Sequence, residues 1–109
     1  MRLFFTRKAI EKLKELDRLD NLCLLTVRDT QTDEDESGYN RIIMRAKVTD
    51  SKEFPYQVET GIGNIYFTAN AKYQLGEDNR IDYDDFRHTF VHVRDGHMVD
   101  DNLLLEQAE

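Results

Sequence analysis

Residues 41–48 read RIIMRAKV, and this stretch constrains the fold more tightly than any other in the chain. Ile42, Met44, Ala46 and Val48 fall on one face, and Arg41, Ile43, Arg45 and Lys47 fall on the other, which is the period-two pattern of a half-buried strand with a basic outer face. Such a strand needs partners in a sheet and a second layer against its apolar side. The earlier run NLCLLTV supplies a partner. It is continuous in apolar and β-branched residues and too short for a typical helix, which predicts a buried strand from Leu22 to Val27.

Around this pair the chain alternates strand and turn signals. Thr6 can cap a helix over residues 7–17, in which Ala9, Ile10, Leu13 and Leu16 form the apolar stripe. YQVE and NIYFTA flank TGIGN and predict a β-hairpin over 56–69, entered just after Pro55, the only proline. Asn70 can cap a short helix from Ala71 to Leu75, with Gly76 as a left-handed stop. RIDYDDF and RHTFVHV continue the strand pattern. A turn at DGH and a tail, DNLLLEQAE, whose three leucines dock on the body, complete the chain. The expected fold is therefore a compact, β-rich α+β domain spanning residues 1–109. It should have twisted mixed sheets of six or seven strands, an N-terminal amphipathic helix and a short second helix.

Charge narrows the functional classes. Twenty-two acidic residues against 15 basic ones give a net charge of -7, a field that opposes binding to nucleic acid or to anionic membrane surfaces. The longest apolar run, LCLLTV, falls far short of the roughly 20 residues that cross a bilayer. Cys23, the single cysteine, rules out an internal disulfide and suits a cytosolic location. Within a buried strand it behaves as an inert, small apolar residue. Oligomeric state has no signature in the sequence.

Two stretches look like pieces of a calcium loop. In DEDESGYN, Asp33, Asp35, Ser37 and Gly38 fall on loop positions 1, 3, 5 and 6, but Met44 stands where the bidentate carboxylate of position 12 is required. In QLGEDNRIDYDDF the later positions match through Asp78, Asp82 and Asp85, while Gln74 and Gly76 replace the early ligands. Neither half completes a site. Asp33 and Asp35 remain as candidate ligands for a weakly held hard divalent cation.

His88 and His92 share a strand face, but four residues of strand separate them by roughly 13 Å, too far for one zinc ion. His97 falls in a turn and is read as solvent-exposed. Asp82, Asp84, Asp85 and His88 could supply acid and base groups, yet the chain has no nucleophile elbow and no cysteine beside a histidine. A non-enzymatic protein is expected, with no catalytic residues.

The order of segments resembles a known family. LFFTRKAIEKLKEL, LCLLTV and above all YQVETGIGNIYFTANAKYQLGEDNRIDY are similar to the HesB/IscA-like family, the A-type iron–sulfur carriers and their relatives. The resemblance runs over nearly the whole chain and implies a role in iron–sulfur cluster biosynthesis. Cluster-carrying relatives place one cysteine after the strand that follows the helix, and a Cys-x-Cys pair near the C-terminus. Here those regions read DTQTDEDESGYN and DGHMVDDNLLLEQAE, without cysteine.

Cys23 lies inside the preceding strand and matches none of the three family positions. Because clusters are gripped chiefly by thiolates, the expectation is a relative that holds no conventional cluster. It would act through contacts with proteins of the assembly machinery, with Tyr39 and the basic face from Arg41 to Lys47 as a contact surface. The alternatives are a hard-cation or iron-delivery protein using the acidic loops, and a small enzyme.

Overall fold

The structure, a computed structural model, describes residues 1–29, 39–49 and 52–107. Strand β1 (Arg2–Phe5) leads into helix α1 (Arg7–Glu15), then β2 (Cys23–Asp29), β3 (Tyr39–Ala46), β4 (Tyr56–Thr60) and β5 (Gly63–Phe67). Helix α2 (Ala69–Gln74) precedes β6 (Asp78–Asp84), β7 (Thr89–Arg94), β8 (His97–Leu103) and β9 (Leu105–Gln107). The β-rich α+β class is as expected. Nine strands stand among the described residues, against the six or seven read from sequence, because β1 and the split tail β8–β9 are each too short or too polar to show an alternating pattern.

The strands form two mixed sheets. One has the order β1-β6-β7-β8, with β1 parallel to β6 and the rest antiparallel. The other runs β4-β5-β2-β3-β9, with β2 parallel to β5 and β3 parallel to β9. The chain crosses between sheets at Leu104, whose carbonyl accepts from Met44 N at 2.8 Å. Leu103 is buried and Leu105 packs against the core, whereas Leu104 is exposed, so two of the three tail leucines dock.

Helix α1 starts at Thr6, whose Oγ1 accepts from Ala9 N (3.3 Å) and donates to Asp82 Oδ1 (2.6 Å). It ends two residues before the predicted limit. Asp17 adopts a left-handed φ of 55°, and the amides of Asp17 and Arg18 bond back to the carbonyls of Lys14 and Leu13, a Schellman stop. For α2 the cap is Thr68, which accepts from Ala71 N at 3.2 Å, not Asn70.

Gly76 is not among the positive-φ glycines, so it is no left-handed stop. A β-carbon there would lie 2.5 Å from Arg94 Cγ and 2.3 Å from Asp95 Oδ2, so glycine is needed for close approach. The expected DGH turn joins β7 to β8, with Asp95 and Gly96 both at positive φ as a tight hairpin requires.

The main core joins residues of both sheets and both helices, with Leu13, Leu24, Met44, Ile65, Phe67 and Ile81 almost fully buried. A second cluster of Cys23, Leu25, Ile43 and Phe54 covers the other face of β2 and β3. Burial on both faces explains why NLCLLTV is continuously apolar. It also corrects the reading of β3: Ile43 is buried, and its basic neighbours are engaged within the chain. Arg41 pairs with Asp100, Arg45 with Glu106 and Lys47 with Asp17. No described helix is long and apolar enough to cross a membrane.

Candidate functional site

A cleft of about 510 Å³ opens where β3, β7 and β8 meet the end of α2. The inward face of β7 carries Phe90, His92 and Arg94 at alternate positions, and so passes from apolar core to charged rim over five residues. Phe90 packs edge-on against Tyr83 with centroids 5.0 Å apart, His92 is 3% exposed, and Arg94 lines the mouth. Opposite this face β8 is irregular. The two steps from Phe90 to His92 face three from Leu103 to Asp100, and the single step to Val93 faces two, to Met98. These extra residues turn Val99 and Asp100 into the cleft, the re-aiming that bulges produce.

Hydrogen bonds fix the ring of His92. Asn79, buried on β6, accepts at Oδ1 from Gly76 N (2.9 Å) and donates from Nδ2 to the carbonyls of Gly76 (2.8 Å) and Arg2 (3.1 Å). With the amide orientation set, the 3.2 Å contact between His92 Nε2 and Asn79 Oδ1 requires Nε2 to carry the proton and donate. Burial pushes the His92 pKa below its ordinary value, and the Arg94 charge adds to this, against a smaller opposing pull from Asp100. The imidazole is therefore neutral at pH 7.

Two arginines flank it. Arg94 donates from Nη1 to the Gln74 carbonyl at 2.8 Å. Arg41 grips Asp100 with Nε (3.2 Å) and Nη2 (3.3 Å) and also bonds the Asn102 carbonyl, which bridges the two sheets across the cleft.

The only thiol lies elsewhere. Cys23 is 3% exposed in β2, its Sγ 3.6 Å from the Asn21 carbonyl, and desolvation raises its pKa to about 11 against a weaker lowering by Arg45. Neutral and buried, it presents no thiolate to a metal. Asp33 and Asp35 lie outside the described residues, as does the DEDESG segment that contains them. Among the described residues, no group of three or more His, Cys, Asp or Glu side chains could hold a metal ion.

The acid–base candidates are engaged in structure: Asp82 accepts from Thr6, Asp84 Oδ1 accepts from the amides of Phe86 and Arg87, and Asp85 pairs with Lys8 at 3.1 Å. His88 lies in the turn before β7 with φ 60° and is exposed, so it does not share a strand with His92. His97 opens β8, just past the turn, and is exposed as expected. The His92 cleft was missed because its groups come from four separate segments. The alternation of Phe90, His92 and Arg94 on one strand face was its only signal in the sequence.

Comparison with solved structures places this architecture. It superposes on a protein from Lactobacillus acidophilus provisionally assigned to Fe-S biosynthesis, with a TM-score of 0.76 and 18% identity over 98% of this chain and 90% of that one. A second, from Lactobacillus salivarius and provisionally assigned in the same way, gives a TM-score of 0.70 and 17% identity over 98% of both chains. No curated protein matches the sequence. The family model described as iron–sulphur cluster biosynthesis matches residues 1–107, nearly the whole length. The segment order, the two-sheet fold and this match agree, and the chain belongs to the iron–sulphur cluster biosynthesis family.

Proposed function

We propose that this chain serves iron–sulfur cluster biosynthesis through contacts with other proteins of the pathway, without gripping a cluster through its own cysteines and without catalysing a reaction. The observation that carries this reading is the state of the one thiol. Clusters are held by several thiolates, and here a single cysteine sits inside a packed strand with its pKa pushed to about 11. The residues present do not fit a cluster. Carboxylates, abundant in this chain, are hard ligands that replace thiolate poorly at sulfide-bridged iron.

Anaerobic reconstitution of the full chain with iron(II) and sulfide tests the first part. The expected outcome is no visible charge-transfer absorption and no stoichiometric iron after desalting. A stable brown product with matched iron and sulfide overturns it. The second part is tested by adding the apo chain to a reconstituted transfer reaction between a cluster-loaded scaffold and an apo acceptor. A concentration-dependent change in transfer rate is expected, and an unchanged rate at excess chain rules out action through these contacts.

A further inference from the structure

The cleft holds chemistry that the proposed role leaves unused. His92 is nearly fully buried, its Nε2–H is committed to Asn79, and its Nδ1 has no partner among the described residues. No buried side-chain nitrogen or oxygen is unsatisfied among the described residues, and the His92 ring borders the cleft, so the free Nδ1 keeps its access there. In this tautomer Nδ1 is a hydrogen-bond acceptor.

Arg94, two residues along the same strand face, uses only Nη1 among the described residues, which leaves Nε and Nη2 as donors. Among the described residues, Arg41 bonds Asp100 and Asn102 through Nε and Nη2 and does not use Nη1. The two carboxylates at the cleft are already engaged. Asp100 is held by Arg41 and by the Asn102 amide (2.9 Å), and Asp101 by Arg87 (2.9 Å). What remains unmatched is one recessed lone pair beside guanidinium N–H groups. A ligand that satisfies both must carry negative charge on oxygen and still have a proton to give.

We propose that this cleft binds a small oxyanion bearing a hydroxyl, with the hydroxyl donating to His92 Nδ1 and the charged oxygens accepting from Arg94. Hydrogen phosphate, a phosphate monoester with a hydroxyl on its carbon body and a short hydroxycarboxylate share that chemistry. The volume, about 510 Å³, exceeds what the anionic head alone requires, and Ile42, Met98 and Val99 line the remainder with apolar surface suited to a short carbon body. In a chain of net charge -7, the two guanidiniums offset Asp100 and Asp101, so the cleft lining is formally neutral and repels an anion less than the average surface does.

The test follows the His92 imidazole nitrogens by NMR in the ¹⁵N-labelled full chain at pH 7 and low salt. Inorganic phosphate, glycerol 3-phosphate and malate are titrated separately, with sulfate as an oxyanion that has no proton to give at this pH. A saturable, one-site shift of Nδ1 is expected with at least one of the three, and whichever binds tightest identifies the source of the oxyanion. Sulfate should bind at least about tenfold more weakly, because it cannot donate to the Nδ1 lone pair and leaves that recessed acceptor unsatisfied.

Arg94→Gln, shown to be folded by a cooperative thermal transition, should weaken the best probe by about tenfold or more. Should that variant fail to fold, Arg94→Lys keeps the charge but loses the planar fork, and a weaker shift is again expected. No saturable shift with any of the three probes, equal binding of sulfate, or undiminished binding in a folded Arg94 variant overturns the proposal. The readout is independent of cluster reconstitution, so either result leaves the proposed function to its own test.

Discussion

At the scale of single residues, burial decides the chemistry. Cys23 has its thiol pKa raised to about 11 by desolvation, so at pH 8 roughly one molecule in a thousand carries the thiolate. A disulfide reagent at that pH is expected to modify the folded chain far more slowly than a short cysteine peptide, and at the peptide's rate once urea has unfolded it. Equal rates for the folded chain and the peptide would show that β2 opens freely.

His92 responds in the opposite sense, since burial lowers its pKa. As pH falls through the ordinary histidine value, the unfolded chain takes up a proton that the folded chain still refuses. The unfolded state then binds more protons, and stability drops with pH. The stabilising contribution is complete above the unfolded pKa and is lost toward the lower, folded value. Urea midpoints at pH 7 and pH 5 should therefore differ less in His92→Gln, whose amide can still donate to Asn79, than in the parent. Identical losses would mean that other groups set the acid sensitivity.

At the scale of elements, termini carry much of the specificity. Thr6 caps α1, donates to Asp82 on β6, and presents its own amide to the Ile81 carbonyl at 2.9 Å, so one side chain ties helix to sheet. Thr6→Ala is expected to cost about 1–2 kcal/mol by urea denaturation, from a lost cap and a carboxylate left without its donor, and Thr6→Ser should recover most of it. No change in midpoint would show that water replaces both bonds. This helix start was legible in the sequence because a capping threonine and a 3.6-residue stripe agree locally.

The hairpin of β4 and β5 and the paired strands β2 and β3 were legible for the same reason, their period being visible within a few residues. What stayed hidden was set by tertiary contact. Asn70 and Thr68 are both acceptable caps by residue type, and only the chain path after β5 selects Thr68. Gly76 reads as a helix stop, but its small size serves Arg94 and Asp95 from a hairpin about 20 residues away. The outer face of β3 reads as basic and open, while Phe54 and several acidic partners cover it. The cleft was hidden most completely. Its geometry depends on extra residues in β8 whose effect exists only once β8 lies against β7.

At the scale of the whole molecule, the two sheets are coupled by more than their shared core. The tail makes β8 an edge of one sheet and β9 an edge of the other within eleven residues, and Arg41 on β3 reaches across to Asp100 and Asn102 on β8. That pair has two parallel N–H···O contacts, with the side chains of Arg41 and Asp100 only 24% and 17% exposed. The geometry is bidentate and partly sheltered from solvent, unlike the exposed pairs elsewhere on the surface, whose net contribution is small.

Arg41→Gln, Asp100→Asn and the double variant form a cycle in which global stability reports the clamp. A coupling energy of about 1–2 kcal/mol is expected from urea denaturation, reduced in high salt only slightly because the pair is sheltered. The losses of the two single variants should together exceed the loss of the double variant, because each single variant leaves an unmatched charge at the junction of the sheets. A coupling near zero would show that the sheets are held together by the apolar core and the β8–β9 crossover alone, with the arginine bridge contributing nothing to their joining.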